Sequence, residues 1–419
     1  APDGQRIDPM PFAAALSTAP QTDAALEQVC TKCRSELSGA IDLAAVFFST
    51  PHAKAAERIA ETIAARLAPR CLLGCVAESV IGGGQEIEDA PALSLWLGRW
   101  NQPVALEPFH VVLERTSEGA SLLGLPDGLV AWPGDQATTR ESGDQAATKD
   151  SAAAESAAVL LLGDPYTFPV DLFLAQMNEN NPSLRVLGGM ASGTRGPGQC
   201  RLLLNGELRT DGAVGVLMQG PIGLRSIVSQ GCRPIGRHMV VTKAQDNVIL
   251  ELGGKPPLQQ LQQLWQSLAP EDQQLFQQGL HIGRVINEYR SDFQRGDFLV
   301  RNVLGLDRTT GALAITEHVR VGQTVQFHVR DAATADEDLH ALLQLDVNAH
   351  EKRPAAALVF SCNGRGSRLF DQPNHDAAAV RAEAGDIPTA GFFAQGELGP
   401  VGGQNFIHGF TASVALFEE

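Results

Sequence analysis

Ile41 to Phe48 is apolar but for Asp42, the pattern of a strand buried on both faces. Thr50-Pro51 follows as a helix start, a hydroxyl cap and then proline in the first turn. From Ala53 the apolar positions Ile59, Ile63 and Leu67 recur every fourth residue, which predicts an amphipathic helix closed by Pro69. Cys71 to Ala77 reads as a second strand, Gly82-Gly83-Gly84 as a loop, and Ala92 to Leu97 as a third strand. The same order returns further on. Pro165 follows Pro51, Gly188 follows Gly74 and Gln199 follows Gln85 by the same 114 positions. A looser third copy closes the chain, with Phe360-Ser361-Cys362-Asn363-Gly364, then Ala390-Gly391-Phe392-Phe393-Ala394, then Gly402-Gly403-Gln404. Such repeats govern the fold and are sought first.

Between and around the copies the pattern is simpler. Residues 1–40 read as a polar lead-in and one helix over 22–37. Val104 to Leu113 reads as a strand, and Asn205-Gly206 between apolar runs as a hairpin turn. Residues 133–157 hold almost no large apolar side chain and predict a solvated insert. The pattern changes near Gly231 to Gly236. Beyond it come a hairpin over Met239 to Leu252, a glutamine-rich helix near 256–268, an antiparallel meander over Phe298 to Arg330 and a helix over Thr334 to Ala349. The expected fold is mixed α/β, three strand–helix–strand units in two domains. These are 41–233 with two units and 234–419 with the meander and the third, behind the lead-in 1–40.

A chain of 419 residues exceeds one ordinary core, which agrees with that division. Forty-eight acids against 32 bases give a net charge of −16, and no basic cluster appears. An acidic surface disfavours nucleic acid and anionic lipid as partners. No apolar run reaches the roughly 20 residues that span a bilayer. Seven cysteines, odd and sparse, suit a reducing compartment and a cytoplasmic location. Cys30 and Cys33 form a CxxC within a helix pattern and read as half-buried thiols; Cys71 and Cys75 read as core. Metal-binding and cofactor motifs are not evident, so neither is expected.

If each unit is parallel, its two strands end on one sheet edge, where a helix N-terminus offers free N–H groups to a small anion. The loops of the first two units carry Ser49, Thr50, Gly74, Glu78, Asp164 and Gly188. Glycine at 74, 188 and 391 also serves close strand packing. The third unit is richer in chemistry. Cys362, Asn363, Arg365, Phe393, Gly396, Glu397, Asn405 and His408 fall on its loops and final strand, beside Gly391. Polar groups converging among glycines suggest a pocket, and Arg365 suits a carboxylate.

The strings Leu73-Gly74-Cys75-Val76-Ala77-Glu78, Ser361-Cys362-Asn363-Gly364-Arg365-Gly366 and Gly391-Phe392-Phe393-Ala394-Gln395-Gly396-Glu397-Leu398-Gly399-Pro400 resemble the FIST family, whose members carry an N-terminal and a C-terminal FIST domain. The likeness spans roughly residues 41 to 417. It implies an intracellular sensory module that binds a small ligand, amino acids among the candidates, and passes the signal to another protein. Three functions follow for testing. The first is a sensor holding a small carboxylate, with Arg365 on the carboxylate and Glu397 on an ammonium. The second is an enzyme with Cys362 as nucleophile, His408 as base and Glu397 as orienter. The third is an interaction scaffold with a vestigial pocket.

Overall fold

A computed structural model describes residues 11–117, 119–130, 156–290, 292–293 and 296–419. The polar insert expected at 133–157 lies almost wholly outside them. The chain divides into two compact units. One comprises 1–228, 342–407 and 412–419; the other comprises 229–341 and 408–411. The third strand–helix–strand segment therefore belongs to the same unit as the first two, and the division is not a single cut near 233.

The first unit opens with β1 (Phe12–Ser17), α1 (Thr22–Glu36), β2 (Leu43–Ser49), α2 (Ala56–Leu67) and β3 (Cys71–Ala77). The short pair β4 (Val80–Gly82) and β5 (Gln85–Ile87) and then β6 (Leu93–Gly98) follow. β1 is fully integrated, antiparallel to β6 through Phe12↔Gly98 to Ser17↔Leu93, where the sequence suggested only a polar lead-in. Next come β7 (Ala105–Thr116), β8 (Gly119–Leu123), α3 (Asp127–Val130), β9 (Ser156–Gly163), α4 (Val170–Asn180) and β10 (Arg185–Met190). The predicted hairpin is β11 (Leu202–Leu204) and β12 (Glu207–Arg209), turned by Asn205 and Gly206, both at positive φ. β13 (Ala213–Gly220) and β14 (Leu224–Gln230) complete this stretch.

The second unit is a closed barrel. Its strands are β15 (Cys232–Gln245), β16 (Val248–Leu252), β17 (Leu280–Val285), β18 (Phe298–Leu306), β19 (Leu313–Ile315) and β20 (Thr324–Arg330), in the order β15-β16-β19-β18-β17-β20. The expected meander holds only for β18 and β19; β20 instead pairs with β17 and β15. Closure removes free strand edges. α5 (Pro257–Ser267) and α6 (Pro270–Gln278) interrupt the barrel, and α7 (Ala332–Ala349) follows it.

The chain then returns to the first unit, apart from 408–411, with β21 (Ala356–Cys362), α8 (His375–Ala384), β22 (Thr389–Ala394), β23 (Glu397–Val401), β24 (Gln404–His408) and β25 (Thr411–Phe417). Three sheets result, ordered β1-β6-β2-β3-β11-β12, β24-β23-β10-β9-β13-β7-β8 and β14-β25-β21-β22-β4-β5. The sheets trade strands: the β4–β5 pair joins β22, and β23 joins β10. Phe47, Phe360 and Phe392 stack between the first and third sheets, with Phe47 and Phe392 ring centres 5.1 Å apart.

Three parallel pairs set the strand ends: β2 with β3, β9 with β10, and β21 with β22. Each second strand carries a glycine opposite a carbonyl of the first. A β-carbon at Gly74 would stand 2.6 Å from the Val46 oxygen, and at Gly188 or Gly391 only 1.9 Å from that of Leu161 or Val359. These glycines let two backbones approach. That is a packing role, independent of any ligand.

Candidate functional site

The loop after β21 turns tightly. The Arg365 N–H donates to the Cys362 carbonyl at 2.8 Å, and the Asn363 N–H donates to the Ala394 carbonyl at 2.9 Å. Gly366 has φ +59°, and a β-carbon there would lie 2.8 Å from Glu88 Oε1 and 2.9 Å from the Phe393 ring. Only glycine fits. A 3-10 turn over Gly366–Arg368 leads to Phe370, and Asn374, left-handed at φ 64°, opens α8.

Asp376, in the first turn of α8, is the hub. It is 1% exposed and accepts four bonds. Ser361 Oγ and Arg365 Nε reach Oδ2 at 2.6 and 2.8 Å; Arg365 Nη2 reaches Oδ1 at 2.7 Å, and His375 Nδ1 lies 2.8 Å from the same oxygen. Burial opposes ionisation of Asp376, but the Arg365 charge and hydrogen bonds, with His375, hold its carboxyl well below the usual range. Arg365 is itself fully buried, and its guanidinium carbon lies 5.2 Å from the Phe370 ring centre. One nitrogen, Nη1, is left without an acceptor among the described residues.

Glu86 on β5 packs beside this hub. Its Oε1 accepts from the Ala377 N–H at 3.0 Å, closing the start of α8, while Oε2 is buried with no donor among the described residues. Burial first, and then the Asp376 charge, raise its carboxyl to about 7.

The rim is softer. Glu88 accepts from the Ser367 N–H and Oγ at 2.9 and 2.7 Å. Arg368, half exposed, pairs with Glu78 and donates to the Asn363 carbonyl at 2.9 Å. Ser192 ties two strand ends together, accepting from the Glu78 N–H at 2.8 Å and donating to the Phe393 carbonyl at 2.5 Å. Glu78 and Ser192 are counterparts in the 114-residue spacing, and they meet. Asn363 Oδ1 is buried here without a donor among the described residues.

The structure thus gathers Cys362, Asn363, Arg365, Phe393 and Glu78. Glu397 is buried on β23 close enough for its charge to act on Arg365. The guanidinium face expected to hold a ligand carboxylate is already engaged by Asp376. Gly396 packs against Ile407, and Gly391 serves β-strand packing. Asn405 is spent elsewhere: its side chain bonds the Val186 N–H, the Leu184 carbonyl and Asn178 at the opposite end of β10. His408 belongs to the second unit. Ser49 accepts from the Ala92 N–H, Thr50 reaches the Ala77 and Gly193 carbonyls at 3.5 Å, and Asp164 accepts from Tyr166 and Thr167 to shape its own turn.

Sequence reading missed Ser361, His375, Asp376, Glu86, Glu88 and Arg368. The available signals were an acid in the first turn of a helix and a second arginine three residues after Arg365. Burial raises the thiols of Cys30 to about 11 and of Cys71 and Cys200 to about 12, whereas Cys362 is only partly buried. Among the described residues no cluster of three His, Cys, Asp or Glu could hold a metal, and no helix is long and apolar enough to cross a membrane.

The FIST N domain matches residues 42–255, and the FIST C domain matches residues 257–400. The chain belongs to the FIST family. FIST domains are in general sensory and signalling modules regarded as binding small ligands. Among similar proteins, uncharacterized protein Rv0628c of Mycobacterium tuberculosis is 41% identical over 403 residues, 96% of this chain and 98% of the relative. Uncharacterized protein Mb0898c of Mycobacterium bovis is 40% identical over 403 residues, 96% and 97% of the two. The boundary between the FIST N and FIST C matches falls between β16 and α5, inside the barrel.

Proposed function

We propose that this FIST chain is a cytoplasmic sensor that binds a small carboxylate-bearing metabolite, such as an amino acid, without transforming it. The ligand sits over the loop of Cys362, Asn363 and Gly364, against Glu78 and Arg368. The observation that carries this reading is a donor and an acceptor left open under one loop, Arg365 Nη1 and Asn363 Oδ1. Each unmet buried polar group costs about 1–3 kcal/mol, so a guest that supplies partners is favoured. A zwitterion offers both an acceptor and a donor.

The two arginines divide the work. The Arg365–Asp376 pair is buried, and parting it would strand a charge at about 3–5 kcal/mol. The Arg368–Glu78 pair is half exposed and worth about 0–1 kcal/mol. A ligand carboxylate therefore exchanges with Glu78 on Arg368, while Arg365 offers only Nη1 from the floor. Glu78, once released, accepts from a ligand ammonium.

The test is a thermal-shift screen of amino acids and small carboxylates, followed by recovery of the ligand by mass spectrometry. A hit should stabilise wild type, lose its effect in Arg368→Ala, and return chemically unchanged. Turnover that disappears in Cys362→Ala would replace the sensor with an enzyme. A screen with no hit would remove the reading.

A further inference from the structure

The second unit contains a feature that owes nothing to the loop site. α5 lies between two open recesses, of about 560 Å³ on one flank and 450 Å³ on the other. Here α5 buries only Pro257, Gln260 and Leu261, and α6 buries no residue at all. Two helices so lightly seated leave recesses along the barrel surface.

The larger cavity is apolar. Leu258, Leu261 and Trp265 of α5, Phe276 of α6 and Val303 and Leu306 of β18 line it, with Trp265 and Phe276 edge to face at 5.4 Å. Among the described residues the lining contains no charged side chain. Its polar groups are the amides of Gln262 and Gln266, one helical turn apart and both exposed. The volume falls in the range of small-molecule sites, about 300–1,000 Å³. None of the lining residues is among the strongly exposed large hydrophobics, such as Leu304 or Tyr289. A recess of this kind suits a guest that enters better than a protein surface laid across it.

We propose that this recess is a second ligand site, for a neutral lipophilic small molecule with one hydrogen-bonding head. The apolar body lies on Trp265, Phe276 and Val303, and the head meets the Gln262 and Gln266 amides. A charged head would find no counter-ion in the lining and is disfavoured.

The experiment uses the full chain and the neutral probe N-phenyl-1-naphthylamine. Its fluorescence should rise saturably with one probe bound per chain. Dodecan-1-ol should displace it at least tenfold more effectively than dodecanoate. Val303→Trp, which fills the recess, should weaken probe binding at least tenfold. Gln262→Glu with Gln266→Glu, at exposed positions that leave the fold intact, should weaken displacement by dodecan-1-ol. Arg368→Ala should bind the probe as wild type does, which separates this site from the loop site. Absence of saturable binding would overturn the proposal. So would probe binding unchanged in Val303→Trp, equal displacement by the alcohol and the acid, or sedimentation showing that a second copy of the chain covers the recess and leaves as the probe enters.

Discussion

Asp376 decides what the neighbouring arginines can do. Because it engages Arg365 through two nitrogens out of water, Arg365→Ala should lower unfolding free energy by about 3–5 kcal/mol, read from urea melts. Replacing both partners, as Arg365→Met with Asp376→Leu, should cost less than the single change, since no charge is then stranded. Equal or larger loss in the double variant would contradict this. Glu86 makes a pH prediction. Its folded carboxyl is raised from 4.5 to about 7, so the folded state holds the proton more tightly than the unfolded chain. Stability therefore falls as pH rises from roughly 4.5 to 7 and levels off above. Asp376 is depressed, so its contribution is present above its unfolded value and is lost only as pH falls below it. Glu86→Gln keeps the acceptor for the Ala377 N–H and should flatten the decline between pH 5 and 7. A Glu86→Gln profile parallel to wild type would contradict the assignment. The meeting of Glu86 with Asp376 was not legible in the chain: they are 290 positions apart, and only the β4–β5 pair joining β22 brings them together.

At the scale of elements, the glycines of β3, β10 and β22 are the test case. Gly391→Ala would drive a methyl group into the Val359 carbonyl and should cost about 3 kcal/mol or more, whereas Gly402→Ala, with open space around it and only its φ of +59° to strain, should cost about 1 kcal/mol, both read from urea melts. Similar losses at both would deny glycine its packing role. Local patterns carried the elements well where their cause was local. The run before Ser49 and the Asn205-Gly206 turn each predicted what formed, whereas Thr50-Pro51 opens a 3-10 turn and the α-helix starts only at Ala56, with no side-chain cap. Pairing was another matter. β1 is only six residues of alanine-rich sequence, and its strand character comes from β6. β20 follows β19 in sequence but pairs with β15 and β17, because closing the barrel satisfies its edges. The two equivalent prolines also diverge: Pro51 lies in a 3-10 turn, while Pro165 lies in a turn five residues before α4.

At the scale of the whole molecule, the strand ends from residues 41–98, 156–204 and 356–394 come to one place, and the ligand proposal rests on that convergence. Arg368 there is half exposed and Arg365 fully buried, which suits the first to capture and the second to architecture. The direct measurement is thermal unfolding of wild type and Arg368→Ala with and without the best amino-acid or carboxylate hit. At about a hundred times its dissociation constant the ligand should add roughly 2.7 kcal/mol to wild type, a rise of several degrees. Without ligand, Arg368→Ala should melt within about a degree or two of wild type, and with ligand it should not move. A ligand that stabilises Arg368→Ala as much as wild type, or an Arg368→Ala chain that no longer folds, would contradict the account.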